Sequence, residues 1–217
     1  SPARHPDWLG PDDLAVKIEQ LREATDWKVP IHVKLGASRV ADDVKLAAKA
    51  GADAIVVDSM VAGTGASAEV LLDHSGIPTV PAIVEAREAL RELGLYGKVS
   101  LIISGGIRNG ADAAKSIALG ADSVAIGIAA LLALNCNKEI SESDFVTEMG
   151  VPAGKCHHCH TGKCPVGIAT QDPELVARLD PDAGAERVAN FINSMTMEMA
   201  LLTRSLGKSD VHSLEPE

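Results

Sequence analysis

Short runs of apolar, mostly β-branched residues alternate with longer amphipathic segments over the first two thirds of the chain. The runs lie at residues 30–35, 54–57, 99–103 and 123–126, and each predicts a β-strand. The run at residues 99–103 is apolar at nearly every position, which is typical of a strand buried on both faces. The alternation of such strands with helical segments predicts a parallel sheet built from βα units.

The segments between these runs carry apolar residues at spacings of three and four, which predict helices. The first helix is expected to turn Leu14, Ile18 and Leu21 toward the core. Residues 61–78 are expected to form a long loop that contains glycines. Three further helices are predicted at residues 40–50, 81–93 and 109–120.

Four strands are too few to close a barrel that needs eight. The pattern therefore fits either an open doubly wound sheet or the second half of a barrel. The chain begins with SPARHP and has no starting methionine, which favours the second reading. We expect an α/β fold that is the C-terminal half of a (βα)8 TIM barrel.

The pattern changes after the fourth strand and divides the chain into three segments. Residues 1–135 are expected to form the half-barrel, residues 136–170 a cysteine-rich loop, and residues 171–217 a helical segment. A methionine-bearing apolar stripe along residues 185–206 predicts a long helix that packs against the barrel or a partner. Residues 212–217 are expected to form a ragged end.

Composition narrows the classes of partner. The chain has 217 residues and a formal net charge of −10, which makes a nucleic-acid surface or binding to an anionic membrane improbable. No apolar run approaches the length of a membrane span, and no signal peptide opens the sequence. Three of the four cysteines lie within nine residues, which suits a metal or cluster loop better than a disulfide framework. We therefore expect a cytoplasmic protein.

Glycine turns follow two of the predicted strands. Ser104, Gly105 and Gly106 come directly after one strand, and Gly127 comes after the next. Because parallel strands end at the same edge of a sheet, the two turns are expected to lie together. Glycine lets backbone N–H groups approach an anion closely, and the N-terminus of a following helix, capped by Asn109, adds positive charge. The pair predicts a phosphate site; a pair of tight turns without a ligand is the simpler alternative.

Two further features are expected at the same edge. Lys34 ends the first strand, where a lysine can hold a carboxylate or the negative charge of a reduced flavin. A solvated surface lysine is the alternative reading. The loop after the second strand carries Gly63, Thr64 and Gly65, which can bring backbone amides and a hydroxyl near a planar ligand.

The cysteine loop is the sharpest chemical signal. Cys156, Cys159 and Cys164 follow the spacing C-x2-C-x4-C, which gathers three thiolates around one metal centre. Cys136 can supply a fourth ligand. Thiolates bind both iron and zinc strongly, so both metals are candidates. A structural zinc loop remains an alternative because three histidines lie among the cysteines: His157, His158 and His160.

Five segments of the chain resemble the flavin-binding synthase domain of the glutamate synthase family, in the family's order. The resemblance implies a βα barrel that carries FMN beside an iron–sulfur cluster. Such an enzyme reduces the imine of 2-oxoglutarate to glutamate by hydride transfer from the reduced flavin. The segments are IHVKL at 31–35, AGTGAS at 62–67, SGGIRNGADAAKSIALGAD at 104–122, GIAALLALNC at 127–136 and CHTGKCPVGIATQDPEL at 159–175.

The resemblance also implies roles for individual residues. Gly105, Gly106 and Gly127 would hold the FMN phosphate, with Lys34 near the flavin and 2-oxoglutarate. The loop at residues 63–65 would lie against the flavin ring.

The resemblance implies three cluster ligands, Cys136, Cys159 and Cys164. Twenty-two residues separate Cys136 from Cys159, where the family's usual enzyme has only a few. Cys156 is an additional cysteine. Three ligands suit a 3Fe–4S cluster and four suit a 4Fe–4S cluster, and both remain open.

The expected function is that of an FMN- and iron–sulfur-dependent oxidoreductase. It forms glutamate or N-methylglutamate from 2-oxoglutarate, with ammonia or methylamine as the nitrogen source. The sequence is similar to stand-alone archaeal-type synthase subunits and to N-methylglutamate synthase, which implies glutaminase-like and electron-donor subunits in a hetero-oligomer. Two alternatives remain: another phosphate-binding βα barrel of the IMP dehydrogenase type, and a non-catalytic electron-transfer subunit.

Overall fold

A computed structural model of the chain describes residues 6–63, 68–136, 156 and 159–216. Its centre is a four-stranded parallel sheet with the strands in chain order, which confirms the predicted α/β class. The strands are β1 (His32–Gly36), β2 (Ala54–Asp58), β3 (Ser100–Ser104) and β4 (Ser123–Ala125).

Helices follow the strands and extend beyond the sheet. The described residues contain α1 (Pro11–Ala24), α2 (Val40–Lys49), α3 (Glu69–His74), α4 (Thr79–Glu92), α5 (Gly110–Ala118), α6 (Ile128–Ala133), α7 (Pro173–Val176), α8 (Pro181–Ser205) and a 3-10 turn at Val211–Ser213.

The register of the sheet aligns the carboxyl ends of all four strands. Gly36 pairs with Asp58, Asp58 with Ser104, and Ser104 with Ala125. This row forms one edge of the sheet, and the turns that follow the strands start there. The register therefore explains why the glycine turns and Lys34 can meet at one site, as the sequence predicts.

One face of the sheet carries the main core. Ile55, Val57, Leu101 and Ile103 have 0–1% of their surface exposed and pack with the apolar faces of α2 and α4. The expectation that the run at 99–103 is buried on both faces is wrong, because Ile102 on the opposite face is only half buried.

Three other expectations are corrected. Leu21 of α1 is 44% exposed, since the burial of α1 is centred on Ile18. The loop expected at residues 61–78 contains α3. The long helix begins at Pro181 instead of residue 185, because Asp180 accepts hydrogen bonds from the first backbone N–H groups and proline is well accommodated there.

The expected ragged end is also ordered as far as the 3-10 turn. His212 Nε2 lies 3.0 Å from the carbonyl oxygen of Asp122, and His212 Nδ1 lies 3.2 Å from Asp210 Oδ1. The pKa of His212 is raised because the ring hydrogen-bonds the Asp122 carbonyl and faces the Asp210 carboxylate. This contact stabilises the folded chain most below the pKa of unfolded histidine, and the contribution is lost as pH rises through the raised folded-state pKa.

Two aspartates fix the opposite edge of the sheet. Asp53 Oδ2 accepts a hydrogen bond from Ile31 N at 2.7 Å, and Asp122 Oδ2 accepts one from Leu101 N at 2.7 Å. The pKa of Asp53 is lowered by its hydrogen bond with Arg22 and by the Ile31 N–H. Because these contacts lie at the amino ends of the strands, away from the cavity described below, we assign them to stability.

Helix α8 packs directly on the start of α5. The backbone N–H of Gly110 donates to Glu198 Oε2 at 2.6 Å. A Cβ atom added at Gly110 would lie 2.2 Å from the carbonyl oxygen of Met195 and 2.9 Å from the backbone nitrogen of Met199. The two helices therefore require glycine at this crossing.

A Gly110→Ala substitution is expected to lower the free energy of unfolding by about 2–3 kcal/mol, because the new methyl group would force two backbones apart. Gly36→Ala is the matched control, since no atom of the described residues lies within 4 Å of the Cβ built there and its φ is not positive. Denaturant unfolding of both variants measures the difference. Equal stability of the two variants would contradict the packing at Gly110.

None of the described helices is both long and apolar enough to cross a membrane.

Candidate functional site

A cavity of about 930 Å³ opens at the carboxyl edge of the sheet. Its walls come from β1 to β4, from the turns that follow β2, β3 and β4, from α6 and from α8. Thr64 and Gly65 of the predicted site lie outside the described residues. Six residues that the sequence singles out line this cavity: Lys34, Gly63, Ser104, Gly105, Gly106 and Gly127.

The turn after β3 has a backbone that favours glycine. Gly105 and Gly106 have φ angles of +109° and +73°, which residues with side chains rarely adopt. A Cβ atom on Gly105 would lie 2.2 Å from Ser59 Oγ, and one on Gly106 would lie 2.9 Å from Val61 Cγ2. Successive residues with such backbone angles can form a concave set of N–H groups that suits an anion.

Two hydroxyl groups hold this turn from behind. Thr79 Oγ1 donates a hydrogen bond to the carbonyl oxygen of Gly105 at 2.8 Å, and Ser59 Oγ lies 2.8 Å from Thr79 Oγ1. Ser59 is 4% exposed. Sequence reasoning missed both residues, because neither belongs to a motif and the fold alone brings them to the turn.

The N-terminus of α5 contributes less than the sequence suggested. Asn109 caps the helix as predicted, with its side chain accepting from Asp112 N. The N–H of Gly110 is bonded to Glu198. Since α5 has these donors satisfied within the chain, the N–H groups of the glycine turn are the better anion donors.

Gly127 leaves open space on the other side of the cavity. A Cβ atom built on Gly127 would meet no atom of the described chain within 4 Å. Gly127 precedes α6 directly and lines the cavity with Ile128 and Ala129. A ligand can therefore approach the backbone closely here.

Lys34 forms an ion pair at the end of the sheet. Its Nζ lies 3.3 Å from Asp58 Oδ2, and the two side chains are 60% and 24% exposed. Asp58 Oδ1 is buried and has no hydrogen-bond partner among the described residues. Buried polar atoms are normally hydrogen-bonded, so this oxygen has capacity for a further donor.

Helix α8 brings a further basic residue to the cavity. Arg187 lines the wall together with Asn190 and Phe191, and its buried Nε has no partner among the described residues. No sequence motif indicated Arg187. Among the described lining residues, Lys34, Arg108 and Arg187 are basic and Asp58 alone is acidic, so the cavity is positive in a chain of net charge −10. Such a field favours an anionic ligand.

The four cysteines are free thiols that lie near one another. Cys164 is buried, Cys136 and Cys156 are half buried, and Cys159 is exposed. Burial raises the pKa of Cys136, and the charges of Cys159, Cys164 and Cys156 raise it further. The coupling shows only that Cys156, Cys159 and Cys164 lie within electrostatic range of Cys136.

The described thiols are not arranged as a finished metal site. Among the described His, Cys, Asp and Glu side chains, no three converge closely enough to hold a metal ion. His157 and His158 lie outside the described residues. The donor set, four thiols within electrostatic range, is nevertheless the chemistry that iron–sulfur clusters use.

The chain matches known proteins along its whole length. A family model described as a conserved region in glutamate synthase matches residues 1–209. The chain is 51% identical to a glutamate synthase large subunit-like protein of Rhizobium meliloti, covering 100% of the chain and 49% of the relative. It is 45% identical to an archaeal glutamate synthase (NADPH) of Methanocaldococcus jannaschii, and the match covers 99% of the chain and 39% of that relative. The chain thus spans about half the length of these relatives, or less.

A solved structure of a double mutant of flavocytochrome b2 with sulfite bound resembles the chain with a TM-score of 0.58 and 23% identity. The match covers 93% of this chain and 37% of the flavocytochrome b2 chain. This likeness shows the fold alone. Together with the parallel sheet it identifies the architecture as part of a (βα)8 barrel and sets aside the open doubly wound sheet.

Proposed function

Because this chain belongs to the glutamate synthase family, we propose that its cavity binds FMN and forms part of a site that makes glutamate or N-methylglutamate. The reaction reduces the imine formed between 2-oxoglutarate and ammonia or methylamine. The observation that carries the proposal is the cavity shared by Lys34 and both glycine turns, at the carboxyl edge of the sheet.

The cavity fits a flavin nucleotide in size and charge. Its volume of about 930 Å³ is in the range of cofactor sites. The N–H groups of Gly105 and Gly106 suit the phosphate, and the open space at Gly127 admits it. The loop at residues 63–65 would meet the ring, although Thr64 and Gly65 lie outside the described residues.

Bound FMN would supply a hydride donor, and a cluster would deliver electrons to it singly. Lys34 stands where its ammonium group can bind a carboxylate of 2-oxoglutarate and stabilise negative charge during the reaction. Asp58 holds Lys34 in place through the ion pair. We assign the cluster to Cys136, Cys159 and Cys164, with Cys156 as a candidate fourth ligand, on the basis of their proximity and chemistry.

The decisive experiment is an anaerobic preparation of the complete enzyme, with its visible spectrum and its flavin, iron and sulfide contents measured together. We expect flavin bands, cluster absorption, and iron with sulfide. A protein with zinc and no sulfide would support the structural zinc loop, and one without flavin would support a barrel of the IMP dehydrogenase type. Comparing ammonia with methylamine in the reductive assay then identifies the nitrogen source.

A further inference from the structure

The carbonyl group of Gly105 is fixed by a relay of two hydroxyl groups. The Thr79 hydroxyl has one proton, and it is donated to the Gly105 carbonyl oxygen at 2.8 Å. In the contact between Ser59 Oγ and Thr79 Oγ1, at 2.8 Å, Ser59 is therefore the donor. The relay runs in one direction, from Ser59 to Thr79 to Gly105.

Fixing this carbonyl also fixes the next N–H group. The peptide between Gly105 and Gly106 is trans, so its C=O and N–H point in opposite directions. The C=O points to Thr79, at the start of α4, and the N–H of Gly106 is turned to the other side. Within the described chain, the N–H groups of Gly105 and Gly106 donate no hydrogen bond.

The relay and the glycine depend on each other. Ser59 Oγ lies 2.2 Å from the position that a Cβ of residue 105 would take. The turn leaves no room for a side chain there, and the hydroxyl of Ser59 fills that space. Ser59 N also donates to the carbonyl of Ser104 at 3.0 Å, so the same residue ties the end of β3 to the loop after β2.

We propose that Ser59 and Thr79 are positioning residues for the ligand phosphate: they hold the Gly105–Gly106 peptide with its N–H directed at that group. This inference rests on the proposed function, because the phosphate is that of FMN. A flexible Gly-Gly peptide can rotate either way, and the relay removes that freedom before the ligand arrives. Neither residue needs to touch the ligand.

The test compares FMN with riboflavin, which lacks the phosphate, in the flavin-free complete enzyme. Thr79→Val keeps the shape of the side chain and removes the hydroxyl. We expect it to weaken FMN binding about three- to tenfold and to leave riboflavin binding within about twofold, as the loss of one oriented hydrogen bond predicts. Thr79→Ser should restore the FMN preference. Flavin fluorescence titration measures each dissociation constant.

Ser59→Ala provides a second variant, since it removes the outer hydroxyl and leaves the bond from Thr79 to Gly105. We expect Ser59→Ala to weaken FMN binding less than Thr79→Val does, again with little change in riboflavin binding. Thr203→Val is the matched control, because Thr203 is 2% exposed and, among the described residues, its hydroxyl bonds only to Met199 O of its own helix. Equal losses for FMN and riboflavin, or none, would overturn this inference alone. A wild-type enzyme that binds neither flavin would overturn the proposed function as well.

Discussion

A Cys164→Ser variant of the complete enzyme is expected to lose its iron–sulfur cluster and nearly all turnover with the natural electron donor. A serine hydroxyl is close in size to the thiol but remains protonated at neutral pH, so it does not replace a thiolate ligand. Cys164 is the most buried of the four cysteines, at 6% exposure, which argues against an incidental reactive thiol. Cys136→Ser and Cys159→Ser should behave in the same way.

The flavin supplies the control for this series. The cysteines do not line the described cavity, so FMN content should stay near the wild-type value in each variant. Cys156→Ser separates the two cluster types: it should leave a 3Fe–4S cluster intact and damage a 4Fe–4S cluster. Iron analysis and electron paramagnetic resonance measure both. Full iron content in Cys164→Ser would show that the assignment of the ligands is wrong.

Replacing Lys34 with methionine is expected to lower kcat/KM for 2-oxoglutarate by about 10²–10³-fold, because an oriented charge at the reacting group is lost. Methionine keeps the apolar stem and removes the ammonium group. If Lys34 binds the ground-state carboxylate, KM carries most of the change; if it stabilises charge that develops during reduction, kcat does. Steady-state kinetics of the complete enzyme separate the two cases.

Lys45→Met is the matched control for Lys34. Lys45 also pairs with a carboxylate, that of Glu92, but it joins α2 to α4 away from the cavity. Its loss should leave kcat/KM near the wild-type value. Unchanged turnover in Lys34→Met would instead favour a non-catalytic subunit. Lys34 would then not act on the substrate, and the chain would only carry its cofactors.

The sequence predicts the sheet well because its signals are local. Each β-branched run falls within two residues of an observed strand, and Asn109 caps α5 through a bond to a residue three positions away. Leu21 shows the limit of that reasoning: periodicity places it on one side of α1, but only the position of the neighbouring helix decides how much of that side is covered.

Site residues can be predicted from the sequence where the local backbone geometry defines their role. Residues that reach the site through tertiary contacts cannot be predicted in this way. Gly105 and Gly127 could be identified because a glycine directly after a strand marks a tight turn or a close approach to the backbone. Thr79 reaches Gly105 across 26 residues, and Arg187 comes from the far end of the chain. An isolated threonine or arginine carries no local pattern, so the fold was needed to find them.

The wall formed by α8 bears on the order of events during synthesis. Lys34 and the glycine turns leave the ribosome well before Arg187 and Phe191, which close the cavity beside α6. The pocket is completed only after α8 has docked at Gly110. A chain that stops short of α8 is therefore expected to keep the four-stranded sheet, to lack this wall of the proposed flavin site, and to hold FMN less tightly.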